Sequence, residues 1–140
     1  MNFKRCFILG FGLLLGSQSI AATGLEGTWQ LISGEYIDAK GKTVSYASTD
    51  MQSLKVLTPE HFSFTSMKGE QFWAAGTGTY EFKDGQYAES LLLNSFGEKV
   101  GASFVFQAQV EGDMWYNSRW KDEQRVEYEV WQRLNHTTAD

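Results

Sequence analysis

Cysteine is almost missing from this 140-residue chain: Cys6 stands alone. The sequence beyond it therefore has no disulfide, no thiolate nucleophile and no cysteine-based metal site. Proline is as scarce, with only Pro59, and histidine is limited to His61 and His136. Two histidines, one of them in a polar tail, give no readable Ser-His-Asp triad and no zinc or haem ligand set. There is no Gly-x-Ser-x-Gly elbow, and Gly76-x-Gly78 lacks the strand–helix setting of a phosphate loop. Asp122-Glu123 is too short for a calcium loop, so no metal and no cofactor is expected. No apolar run approaches the roughly 18 residues of a membrane-spanning helix. Sustained apolar spacing at i, i+3, i+4 and i+7 is missing as well, which excludes a helical bundle.

What is present begins with a leader. Lys4 and Arg5 precede an apolar run over 7–15, and Ser19-Ile20-Ala21-Ala22 offers small residues for cleavage. Residues 1–22 read as a secretory signal peptide, and residues 23–140 as one domain. Cys6 precedes the apolar run, whereas a lipid-anchor cysteine follows it, so the expected location is periplasmic or secreted without an anchor. Without the leader the chain carries ten basic against seventeen acidic residues, a balance of about −7. The basic residues are scattered rather than grouped on one face, which speaks against nucleic acid as a partner.

Aromatic residues are plentiful: five Trp, six Tyr and seven Phe remain after the leader. They fall into runs of period-2 alternation, separated by Gly, Asp, Asn or the one Pro. The runs cover 27–37, 52–57, 61–67, 72–82, 86–94, 102–111, 114–120 and 125–134. In the first, Trp29, Leu31, Ser33, Glu35 and Ile37 share a side. Thr58-Pro59-Glu60, Lys83-Asp84-Gly85 and Gly112-Asp113 read as tight turns. Gly76 and Gly78 predict a bulge or sharp bend. Short hairpins between neighbours predict an all-β, antiparallel up-and-down barrel of eight to ten strands, closed because open edges aggregate.

Gly27-Thr28-Trp29 on the first strand and Arg133 on the last resemble the lipocalins and the wider calycin group. Leu25-Glu26-Gly27-Thr28-Trp29, Glu60-His61-Phe62, Gly76-Thr77-Gly78-Thr79-Tyr80, Tyr87-Ala88-Glu89 and Glu129-Val130-Trp131-Gln132-Arg133 look similar to small bacterial secreted lipocalin-like domains of uncharacterised function. The resemblance covers roughly 25–134. It implies that Trp29 plugs the closed end of the barrel with Arg133 packed across it. The sequence lacks the helix and disulfide that eukaryotic lipocalins add, so retinoid or odorant binding is not carried over.

Candidate site residues follow from period 2. If Leu91 and Leu93 point inward, Glu89 and Tyr87 do too, and a buried carboxylate needs a partner. Arg119, Arg133, His61 and Tyr80 are candidates. Glu89 is then either a ligand anchor or half of an internal pair that fixes register. Trp115, Asn117 and Arg119 share one face of their strand against Met114, Tyr116, Ser118 and Trp120. Glu127, Glu129, Trp131 and Arg133 oppose Tyr128, Val130, Gln132 and Leu134. Periodicity alone leaves both faces open; the role implied for Arg133 puts Glu129 and Trp131 inside. The expected function is binding of a small amphipathic molecule in the lumen, lined by Tyr80, Tyr87, Glu89, Trp115, Arg119, Glu129 and Trp131 above a floor of Trp29 and Arg133. The alternative is an envelope interaction or inhibitor module with a filled lumen, acting through the loops at 38–50 and 95–101. An enzyme at the barrel mouth, using Glu89, Glu129 or His61, is the least favoured reading.

Overall fold

The computed structural model describes residues 24–135. The predicted leader and the end of the polar tail lie outside them. Among the described residues the strands are β1 (Gly27–Ile37), β2 (Thr43–Ser45), β3 (Met51–Leu57), β4 (His61–Lys68) and β5 (Gln71–Lys83). They continue with β6 (Gln86–Asn94), β7 (Ser103–Glu111), β8 (Met114–Lys121) and β9 (Gln124–Arg133). Every pairing is antiparallel, and β1, β3, β4, β5, β6, β7, β8 and β9 follow in order until β9 pairs back onto β1. The result is a closed eight-stranded up-and-down barrel, consistent with a lipocalin-like fold. The stretch 38–50, expected to be a polar loop, contains β2, paired to the far end of β1, and a 3-10 turn over Tyr46–Thr49. No helix among the described residues is long and apolar enough to cross a membrane.

Turn chemistry sets the hairpins. Asp84-Gly85 and Asp122-Glu123 are two-residue connections with both residues at positive φ, the arrangement whose twist matches flanking strands. Pro59 sits in the β3–β4 turn, where a missing N–H breaks no ladder bond. The expected irregularity near Gly78 is present: the β5–β6 register slips between Thr77 and Gly78, and a Cβ on Gly78 would sit 1.9 Å from the Ser90 carbonyl oxygen.

The simple alternation expected along β1 fails halfway. Leu31 pairs with Trp131, but Ser33 pairs with Val130, so Ile32 is an extra residue and the strand bulges. Beyond the bulge the phase inverts, and Tyr36 rather than Ser33, Glu35 and Ile37 packs against the core. Gly34 lies in the inverted segment at φ +144, where a Cβ would be 2.1 Å from the Tyr128 carbonyl oxygen and 3.0 Å from the Tyr46 ring. Both the dihedral and the space exclude a side chain. Gly34→Ala is expected to destabilise the barrel by more than about 1 kcal/mol, read as a lower urea midpoint at unchanged m. An unchanged midpoint would mean that β1 is not bulged as described.

The closed end is packed solid. Leu25 and Trp29 are fully buried, and Trp29 Nε1 donates to the Leu25 carbonyl oxygen at 2.8 Å. The Arg133 guanidinium lies 4.2 Å from the Trp29 ring centroid and donates to the carbonyl oxygens of Glu26 and Gly24. Above this pair the rings interlock edge to face: Trp29–Trp115 at 5.4 Å and Tyr87–Trp115 at 4.9 Å, with Tyr80, Phe106 and Trp131 around them. Each such pair adds about 0.5–1.5 kcal/mol beyond the area it buries.

Candidate functional site

Facing strands decide which residues enter the lumen. Across β8 and β9, Trp115 pairs with Trp131, Asn117 with Glu129 and Arg119 with Glu127. These are the inward sets, which resolves the two faces that periodicity left open. In β3 the inward residues are Ser53, Lys55 and Leu57, while Leu54 and Val56 are about half exposed on the outside. The hairpin register explains this inversion of simple hydropathy. Leu57 lies opposite Phe62 and Lys55 opposite Phe64, so burying both phenylalanines carries Lys55 inside.

Lys55 is 4% exposed, and its Nζ donates to Glu89 Oε1 at 2.7 Å. Tyr87 Oη donates to the same oxygen at 2.9 Å. Five ring centroids surround the ammonium, from Trp131 at 5.1 Å to Phe62 at 5.9 Å. Burial alone would lower the pKa of Lys55, but Glu89 and Glu129 act against it and hold the group above its ordinary value. The partners expected for Glu89 were Arg119, Arg133, His61 and Tyr80. The ion-pair role falls instead to Lys55, which reaches Glu89 across the lumen. Tyr80 instead donates to the Thr58 carbonyl oxygen, and Arg133 is spent on the floor.

One layer higher, Arg119 Nε donates to Glu127 Oε2 at 2.8 Å, and Tyr46 Oη donates to Glu127 Oε1 at 3.4 Å. Between the layers sits Glu129, 9% exposed. Its Oε2 accepts from Trp131 Nε1 at 2.8 Å and from Asn117 Nδ2 at 3.5 Å. Burial raises its pKa to about 7; Lys55 opposes the rise and Glu127 adds to it. Asn117 Oδ1 and Trp115 Nε1, both buried, have no hydrogen-bond partner among the described residues.

Lys55, Glu89, Arg119, Glu127, Glu129 and Tyr46 bound a cavity of about 310 Å³ in the upper part of the barrel. Phe64, Phe104, Phe106 and Trp131 wall it, and the partly exposed Trp73 and Phe96 stand at its rim. Of the residues expected to line a ligand site, Glu89, Arg119, Glu129 and Trp131 do so. Tyr80, Tyr87 and Trp115 lie below, within the packed aromatic layer. Lys55 escaped sequence reasoning, and the usable signal was its place opposite Phe64 in a hairpin with a short turn. His61 is exposed at the start of β4, with its backbone N–H donating to Thr58 Oγ1. No protein-family model and no curated protein matches the chain.

Proposed function

We propose that the protein is an exported binding protein of the lipocalin-like kind, which carries a small, partly apolar molecule in the upper half of its barrel. The observation that supports this most is the 310 Å³ cavity between a solid aromatic floor and the rim, at the lower end of the size range of small-molecule sites. Its lining mixes aromatic area with a few fixed polar groups, the usual composition of such a site. Export is inferred from the positive start, apolar run and small residues of the leader. Membership of the lipocalin-like group rests on Gly27-x-Trp29 and Arg133, together with the closed barrel. A fold of this kind hosts many functions, so the ligand reading stands on the cavity rather than on the architecture. A module acting only through its loops would have no use for space beneath Trp73 and Phe96.

Native mass spectrometry of the protein purified from the compartment it is exported to tests the proposal. The expected result is a non-covalent adduct that disappears on denaturation and whose mass identifies the ligand class. An adduct-free protein that also fails to enhance the fluorescence of N-phenyl-1-naphthylamine would overturn it and return attention to the loops.

A further inference from the structure

From the distribution of charge in the lumen we infer that the ligand is an organic cation: an amine or guanidinium head held by Glu129, on an apolar body packed against Phe64 and Phe104. This rests on the reading of the lumen as a binding site and narrows it to one class of molecule.

The cavity is lined by four carboxylates, Glu89, Glu98, Glu127 and Glu129, against two cations, Lys55 and Arg119. Both cations are already engaged, at 2.7 Å and 2.8 Å from Glu89 and Glu127. An anionic head would therefore find no lining cation without a carboxylate counter-ion of its own and would lie among carboxylates. Glu129 is the buried carboxylate that makes no salt bridge among the described residues; both of its hydrogen bonds come from neutral N–H groups and land on the same oxygen. In the same layer the fully buried Asn117, which does not itself line the cavity, spends its Nδ2 on Glu129 Oε2, and Glu129 Oε1 accepts no hydrogen bond among the described residues. A cavity-lining carboxylate with one oxygen still to be paired matches a head with several N–H donors, as an ammonium or guanidinium has.

The walls favour the same sign of charge, because aromatic faces attract cations and disfavour carboxylates. The barrel already shows this in its own side chains. Lys55 places an ammonium among five rings with one glutamate as counter-ion. Glu129 offers a second glutamate in the same surroundings without a cation of its own.

The charged and titratable groups facing Glu129 are Lys55 on β3, Glu89 on β6, Arg119 on β8, Glu127 on β9 and Tyr46 on the 3-10 turn. Four of them are locked in the two ion pairs, and Tyr46 is held above its ordinary value by burial and by Glu129 and Glu127. Glu129 is thus the group that gives up a proton when a cation binds. Affinity for an amine should rise about tenfold from pH 6 to pH 8, as a carboxyl titrating near 7 ionises.

Isothermal titration calorimetry with 2-phenylethylamine, 2-phenylethanol and 3-phenylpropanoate tests this, since the three share an apolar body and differ in the head. The amine is expected to bind at least about tenfold tighter than the alcohol, as one charge-assisted hydrogen bond implies, and the carboxylate weakest. Glu129→Gln should remove the advantage of the amine over the alcohol together with its pH dependence. If the variant does not fold, the ranking of the three heads on the parent protein decides alone. An alcohol or carboxylate binding as tightly as the amine overturns the cation assignment while leaving the lumen as a binding site. Failure of all three, in a protein that also shows no native adduct, overturns both.

Discussion

Glu89→Gln is expected to lower the unfolding free energy by about 3–5 kcal/mol, the usual effect of removing one partner from a buried ion pair. Lys55 and Glu89 have side chains only 5% and 6% exposed, and their contact is 2.7 Å. Glutamine keeps the shape and an acceptor for Lys55 and Tyr87, so the loss is one of charge rather than of packing. The ammonium left among five rings then has no counter-ion within hydrogen-bonding reach. Its pKa falls, because the largest influence opposing desolvation is gone and only the attraction of Glu129 and Glu127 remains. The sign follows from linkage: a lysine whose folded pKa lies below its unfolded value binds fewer protons when folded. The deficit of Glu89→Gln should therefore shrink as the pH rises toward 10. Replacing both partners, Lys55→Met with Glu89→Leu, should recover much of the loss, since an apolar pair of similar volume needs no counter-ion. Urea unfolding of the single and double variants measures all of this. A loss under about 1 kcal/mol for Glu89→Gln would mean that the pair is solvated, and the lumen much wetter than its packing indicates.

The barrel was legible because its signals are local. Alternation, two-residue turns rich in Gly and Asp, and a lone proline between strands each fix a hairpin, and eight hairpin-linked strands close with little choice of order. The floor was legible through the resemblance of Gly27-Thr28-Trp29 and Arg133 to the lipocalins, and closure of the barrel makes Trp29 and Arg133 cross-strand neighbours. The site was legible only in part, and the reason is register. Ile32 adds one residue to β1 and inverts everything after it, yet nothing in Leu31-Ile32-Ser33 marks a bulge. Leu54 and Val56 look more apolar than Ser53 and Lys55, yet they face outward because Phe62 and Phe64 on the next strand claim the inside. Alternation puts Glu89 inside with Leu91, although the β5–β6 slip turns Leu93 outward; its partner Lys55 is hidden because alternation by hydropathy alone assigns the inner face of β3 to Leu54 and Val56. Depth was the other missing coordinate. Tyr80, Tyr87 and Trp115 point inward like Glu129 and Arg119, but only distance from the closed end separates a packing residue from one that lines the cavity.

Glu129→Gln should act in the opposite direction to Glu89→Gln, although both residues are buried glutamates in one lumen. Glu129 has no cation of its own, and burial pushes its pKa to about 7 from an ordinary 4.5. Below pH 4.5 the group is protonated in both folded and unfolded chains and has no effect on the equilibrium. As the pH rises from 4.5 to 7, the unfolded chain releases this proton while the barrel retains it, so stability falls. A shift of that size corresponds to about 3 kcal/mol, lost progressively across the window and constant above it. Glutamine mimics the protonated acid and cannot ionise. The variant should match the parent near pH 4.5 and exceed it by up to about 3 kcal/mol at pH 8. Denaturant unfolding at pH 4.5, 6 and 8 checks this, and parallel pH profiles for parent and variant would sink it. A buried carboxylate that lowers stability at neutral pH is a cost that packing alone does not require. If 2-phenylethylamine at saturating concentration raises the stability of the parent at pH 8 more than that of the variant, the cost and the binding role belong to the same side chain.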